Sequence, residues 1–127
     1  ITTAQSLICR PDKNKKFTSE SEIGYDELTK LIKKKVKFDA IFAMNDTLAM
    51  GCYQAAKEQN LDIAKDFSII GFDNSVTAIN LRPTLSSIQL PIAEMTAKSI
   101  QHIFDDKNYD ENYKVYVECK LVERNSI

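Results

Sequence analysis

Phe38-Asp39-Ala40-Ile41-Phe42-Ala43-Met44-Asn45-Asp46 is the stretch that decides the fold, together with Phe67-Ser68-Ile69-Ile70-Gly71-Phe72-Asp73-Asn74 further along the chain. Asp39 to Met44 is a short apolar run without alternation, which fits a strand buried on both faces. Phe67 to Phe72 reads as a second buried strand. Between them Asn45-Asp46 caps a helix with Leu48, Ala49, Cys52, Tyr53 and Ala56 on its apolar side, and Asn60 suits a left-handed stop at its end. Strand, helix, strand with buried strands predicts an α/β domain built on a parallel sheet. Ligands of open α/β sheets sit beyond the carboxyl ends of the strands. If the two strands are parallel, Asn45-Asp46 and Asp73-Asn74 emerge on one edge. The alternative is that both polar pairs only cap helices and turns.

Outward from this centre, Ser19 to Glu22 forms an S-x-x-E capping box. It opens a helix with Ile23, Leu28, Leu31 and Ile32 at roughly helical spacing. Lys33, Lys34, Lys35 and Lys37 crowd its C-terminal end, where cations suit the helix dipole. Upstream, residues 5–10 read as a short strand and 12–16 as a polar loop. Downstream, Pro83, Pro91 and the residues between look extended, and Pro91 begins a third long helix. Its Ile92, Thr96, Ile100, Ile103 and Phe104 form an apolar stripe. Residues 105–112 form a second polar loop, and Tyr113 to Leu121 alternates like a strand with one wet face.

The chain has 127 residues, 43% hydrophobic and 28% charged, with three glycines and three prolines. That length suits one domain or one lobe, large enough for a core, and the composition excludes collagen-like and low-complexity chains. Seventeen basic against eighteen acidic residues give a net charge of -1, which argues against a general electrostatic grip on DNA or an anionic membrane. Apolar runs are too short to span a bilayer, and the first residues show no signal peptide. Cys9, Cys52 and Cys119 are odd in number and far apart, so they read as buried apolar residues in a reducing, cytoplasmic setting, with no metal site or redox dithiol.

Chemistry-bearing motifs are sparse. There is no G-x-G-x-x-G, Walker A or G-x-S-x-G motif, and no cofactor is implied. His102 is the single histidine and reads as packed or solvated rather than as a base. Asp105-Asp106 and Asp110-Glu111 read as solvated charge. The lysine run lacks interleaved aromatics, so it reads as a helix end rather than a nucleic-acid patch. The expectation is a binding protein and not an enzyme.

Four blocks then carry a resemblance. They are Phe38 to Asp46 with Ala49 and Gly51; Phe67 to Asn74; Arg82-Pro83-Thr84-Leu85-Ser86-Ser87-Ile88-Gln89 with Pro91 and Met95; and Leu121-Val122-Glu123-Arg124-Asn125-Ser126. In this order and spacing the chain resembles the effector domain of lac-repressor/galactose-repressor (LacI/GalR) transcription regulators, over roughly residues 17–127. Phe17 to Tyr25 also looks like the family's loop leading into a helix. Ala64 and Asn60 stand where the family commonly has Pro and Gly.

The resemblance implies a periplasmic-binding-protein-like (type I) fold of two lobes with a three-layer α/β architecture and an effector in the cleft. Residues 1–127 would be the C-terminal lobe, with a crossover tail at about 86–112 that packs on an N-terminal lobe. The DNA-binding helix-turn-helix has no counterpart here, so operator DNA would be a partner only through another domain. Carried over residue by residue, Asn45 matches a ligand-contacting Asn, and Asp73 matches the Asp that receives effector hydroxyls. Phe17 sits at an aromatic position that can lie against a ring, while Asp46 is expected to cap the following helix. An amide donates and accepts, a carboxylate accepts from adjacent hydroxyls, and an aromatic face covers the C–H side of a sugar. The resemblance further implies a homodimer whose contact includes Met50, Gln54, Ala78 and Leu81. The implied function is effector sensing, for a sugar or small metabolite, in a bacterial transcription regulator. The alternative is the sugar-binding component of an ABC transporter with the same fold.

Overall fold

The computed structural model describes residues 19–104 and 114–127. The expected strand at 5–10, the loops at 12–16 and 105–112, Cys9 and Phe17 lie outside them. The described elements are, in order, α1 (Glu20–Lys33), β1 (Ala40–Phe42), α2 (Asp46–Glu58), β2 (Ser68–Phe72), α3 (Val76–Asn80), β3 (Ser86–Gln89), α4 (Ile92–Ile103) and β4 (Lys120–Val122). The strands form a sheet in the order β1-β2-β3-β4. β1 to β3 run parallel, and β4 returns antiparallel against β3.

Local chemistry sets the helix ends. Ser19 and Glu22 make the reciprocal capping box that the sequence predicts: the Glu22 N–H donates to Ser19 Oγ at 3.2 Å, and the Ser19 N–H donates to Glu22 Oε2 at 2.8 Å. Both long helices of the core end on a left-handed residue, Lys35 after α1 and Asn60 after α2. After α2 the Leu61 N–H reaches the Ala56 carbonyl at 2.9 Å; after α1 the Val36 N–H reaches Leu31 at 3.1 Å. These six-to-one bonds satisfy carbonyls that a helix end otherwise leaves open.

α1 and α2 meet backbone to backbone. A Cβ on Gly24 would fall well inside 3.0 Å of the Leu48 carbonyl, and one on Gly51 well inside 3.0 Å of the Ser21 carbonyl. The two glycines therefore sit reciprocally at the crossing. That approach lets Leu28 and Tyr25 of α1 reach the core of Ala49, Cys52, Tyr53, Ala55, Ala56, Phe67, Ile69, Ala78 and Leu85. The Tyr25 hydroxyl ties the far end of the pair by donating to Glu58 Oε2.

The sheet is less enclosed than the sequence suggests. Register places Ile41, Ile69, Gly71 and Ser87 on one face, toward α2, and Phe42, Ile70, Phe72, Ile88 and Leu121 on the other. Among the described residues β1 lies at the edge of the sheet, and it is not buried on both faces: Phe42 is 60% exposed and the following Met44 77%. Of the three layers expected, the described residues supply the sheet and the helices on one side of it. β3 belongs to this sheet, so residues 86–89, expected at the start of a crossover tail, pair within it. The predicted strand reaching back to Tyr113 is confined to Lys120–Val122. β3 ends at Gln89 ahead of Pro91, so residues 114–119 have no strand to pair with among the described residues. Cys52 is buried as expected, but Cys119 is exposed on that unpaired stretch. α4 has no buried residue, and its Ile92, Ile100 and Ile103 stand open.

The glycine crossing is testable. Gly51→Ala gains about 1 kcal/mol of helix propensity but forces a methyl into a backbone carbonyl, with an overpacking cost of about 3 kcal/mol. We expect a net loss near 2 kcal/mol in urea unfolding, whereas an unchanged midpoint would show that the helices do not cross there.

Candidate functional site

Parallel pairing of β1 with β2 brings the polar residues that follow them to one edge of the sheet. Asn45 follows β1, and Asp73 and Asn74 follow β2 directly. Sequence reasoning anticipated this juxtaposition from the strand-helix alternation alone.

The structure redistributes the work within Asn45-Asp46. The cap of α2 is Asn45, whose Oδ1 accepts from the Leu48 N–H at 2.8 Å. This fixes the orientation of the amide, with one lone pair of its oxygen on the helix and its NH2 free of the cap. Asp46, expected to be the cap, is the first helical residue and is 1% exposed. Its Oδ2 accepts from the Ser75 N–H at 2.6 Å and from Ser75 Oγ at 2.9 Å, and its Oδ1 accepts from Ser87 Oγ at 2.6 Å. Gly71 makes the space, since a Cβ there would collide with Asp46 Oδ1. A buried carboxylate is costly unless charge-assisted bonds surround it, and three donors from two other elements do so.

These bonds hold the turn that carries Asp73. Asp73 and Asn74 both have positive φ, 97° and 49°, a region that favours glycine and strains most other residues. The turn is gripped on several sides. The Asp73 N–H donates to the Ile88 carbonyl at 2.9 Å, and the Asn74 N–H to Ser87 Oγ at 3.0 Å. Arg124, arriving on the tail, donates through one nitrogen to Asn74 Oδ1 and through another to the Leu85 carbonyl, both at 2.6 Å. Ser126 anchors that tail by accepting from the Ser86 N–H at 2.8 Å and donating to the Ile69 carbonyl at 2.6 Å. Every member of the turn is thus held by its backbone or by Asn74, and the Asp73 side chain is left exposed at the strand ends.

Ser75, Ser87 and Arg124 were not singled out from the sequence. Ser75 is the N-cap of α3 yet makes no side-chain cap bond, because its hydroxyl goes to Asp46. Phe17 lies outside the described residues. Of the predicted contact residues, Met50 is 38% exposed and Gln54 is exposed, while Leu81 is half-buried against the core. Ala78 is fully buried, because its face of α3 closes over Leu85 and α2; it has no surface to give a partner, and the sequence reading is corrected there. The exposed apolar neighbours on α3 are Val76 and Ile79. Among the described residues no group of three or more metal-ligating side chains occurs, and no helix is long and apolar enough to cross a membrane.

Comparisons with known proteins fit this geometry. The periplasmic binding protein-like domain matches residues 4–127. The chain is 35% identical over 107 residues to the HTH-type transcriptional regulator MalR of Clostridium butyricum, and 37% identical over 108 residues to the ribose operon repressor of Haemophilus influenzae. Each alignment covers 84% of this chain and 32% of the relative, so the chain spans about a third of their length. A solved LacI-family regulatory protein from Chloroflexus aggregans superposes with a TM-score of 0.74 at 33% identity, over 84% of this chain and 39% of that one. A lac repressor dimer bound to operator shares the fold at a TM-score of 0.77 and 19% identity, over 84% of this chain and 37% of that one.

Strain at Asp73 gives a stability test. Asp73→Gly removes the carboxylate but suits a φ of 97°, so relief of roughly 1 kcal/mol or more should match or exceed glycine's entropic cost of roughly 0.4–1 kcal/mol. Thermal unfolding should show equal or raised stability. A clear loss would mean that the Asp73 side chain supports the fold.

Proposed function

The chain belongs to the periplasmic-binding-protein-like domain family, and from that premise we propose that it is the C-terminal lobe of the effector-sensing domain of a LacI-type bacterial transcription regulator, responsive to a sugar or small metabolite. The observation that carries the reading is the pairing, at one edge of a parallel sheet, of an Asn45 amide oriented by its helix cap with an exposed acceptor at Asp73. Neighbouring hydroxyls on one molecule answer both: one accepts from the Asn45 amide and the others donate to the carboxylate. Phe17 is proposed as the aromatic wall. The relatives named are regulators, which favours this reading over a transporter's solute-binding component, and no catalysis is assigned. The rest of the site is supplied by a second lobe, reached by the segment after Gln89 that includes α4. The open Ile92, Ile100 and Ile103 of α4 are the residues we assign to that contact.

On this reading the effector acts by population shift. It favours one angle between the lobes over another and so changes the spacing of DNA-binding heads carried elsewhere in a cytoplasmic homodimer. Met50, Gln54 and Leu81 are proposed for the two-fold contact.

Thermal-shift measurements on the full-length regulator with D-ribose, D-glucose, D-galactose, maltose, adenine and guanine test the effector class. With whichever probe shifts the parent, Asp73→Ala should weaken binding by about 1.5–3 kcal/mol, the worth of a charged hydrogen bond, and unchanged affinity would remove Asp73 from the site. Separately, Met50→Asp combined with Leu81→Asp should yield monomers in sedimentation; a dimer that survives both refutes this interface.

A further inference from the structure

We propose that Asp46 is the positioning residue of the effector site: it touches no ligand, and its buried carboxylate holds the Asp73-Asn74-Ser75 turn so that the Asp73 carboxylate stays presented at the strand ends. This rests on the reading of Asp73 as a ligand-binding group, and extends it to a residue expected to cap a helix.

Three observations converge on Asp46. First, it is spare for capping, because Asn45 already accepts from Leu48. Second, its bonds run to the turn and not to its own helix: Ser75 N–H and Oγ on Oδ2, Ser87 Oγ on Oδ1. Ser87 is a relay, since the oxygen that donates to Asp46 also accepts from the Asn74 N–H. The carboxylate therefore governs two consecutive peptide groups of the turn, one directly and one through a hydroxyl. Third, the turn it governs is strained at Asp73 and Asn74, and strained backbone persists only where the surroundings over-determine it.

The geometry also separates Asp46 from Arg124. Arg124 grips the Asn74 side chain and the Leu85 carbonyl, whereas Asp46 grips peptide nitrogens. Arg124 acts beside the turn and Asp46 beneath it, and removing a peptide-nitrogen partner frees the backbone dihedrals that aim Asp73. Gly71 belongs to the same device, because the strand yields its side-chain space to the carboxylate.

Hydrogen–deuterium exchange on the full-length regulator tests this directly. In Asp46→Asn one oxygen becomes a donor. Measured against α1 and β2, which set the baseline for the lower melting temperature that weakened bonds bring, amides of residues 73–76 should exchange about tenfold faster. Unchanged exchange at 73–76, or acceleration spread over the lobe, overturns the proposal. Should Asp46→Asn not fold, Ser87→Ala removes only the relay and should accelerate Asn74 alone; no change there overturns it equally. A binding arm uses the panel probe that shifts the parent most. Asp46→Asn should weaken it at least tenfold in the parent but leave affinity unaltered in an Asp73→Ala background, because the two act through one group. Additive losses would show that Asp46 does not work through Asp73. An Asp73→Ala variant with parent affinity would instead bring down the site reading itself. If no probe shifts the parent, the sugar-or-purine reading fails while the exchange result still decides the role of Asp46 in the turn.

Discussion

The buried carboxylate of Asp46 is the constraint on which the edge of the sheet depends. An ionised group at 1% exposure faces a desolvation cost of several kcal/mol. Three charge-assisted bonds offset it. The donors come from residues 75 and 87, far along the chain, so the charge is satisfied only when α2, the turn after β2 and β3 are all in place. The same condition dictates a strand residue without a side chain at Gly71. A single charge thus couples the two strand ends whose polar residues form the candidate site.

The helices serve that arrangement from the other side. Backbone contact at Gly24 and Gly51 draws α1 onto α2. That seats α2 over Ile69 and Gly71 and delivers its first turn, with Asn45 and Asp46, to the sheet edge. The N-terminus of α2 also carries partial positive charge, which favours Asp46 in its first turn. The C-terminal tail completes the enclosure. Ser126 bridges β2 and β3 through Ile69 and Ser86, so Arg124 arrives beside the turn at a fixed height. Arg124 and Ser126, beyond the end of the strand that the sequence predicts, buttress the candidate site.

Much of this was legible in sequence, and the failures share a cause. Periodicity, the Ser19-Glu22 box and Asn60 located α1 and α2 and their ends, because those signals act within a few residues of each other. The parallel β1–β2 pair put Asn45 and Asp73 together for the same reason: two short apolar runs flanking a helix leave little other choice. The exchange of roles between Asn45 and Asp46 could not be read, since Asn and Asp cap helices about equally well. What separates them is space left by Gly71 and hydroxyls on Ser75 and Ser87. Burial of Ala78 and exposure of Phe42 likewise depend on what packs across the sheet and not on local pattern. α3 is five residues long and its cap hydroxyl is spent elsewhere, so it left no local signature.

The asymmetry of the two polar groups bears on how such a site could signal. Asn45 is held in orientation by its cap bond to the helix, which leaves its NH2 as a fixed donor. Asp73 accepts, and its orientation is set by a turn under strain. A hydroxylated molecule bound to both adds one further restraint to that turn, and Arg124 already links the turn to the tail through Asn74. The tail follows the segment after Gln89 that we assign to the second lobe. On the proposed reading, binding is therefore felt by the connection between lobes as well as in the cleft. A ligand shifts a two-state equilibrium only by the difference in its free energy with each state. A strained turn held by the C-terminal tail is a place where such a difference can arise without any large rearrangement of the core.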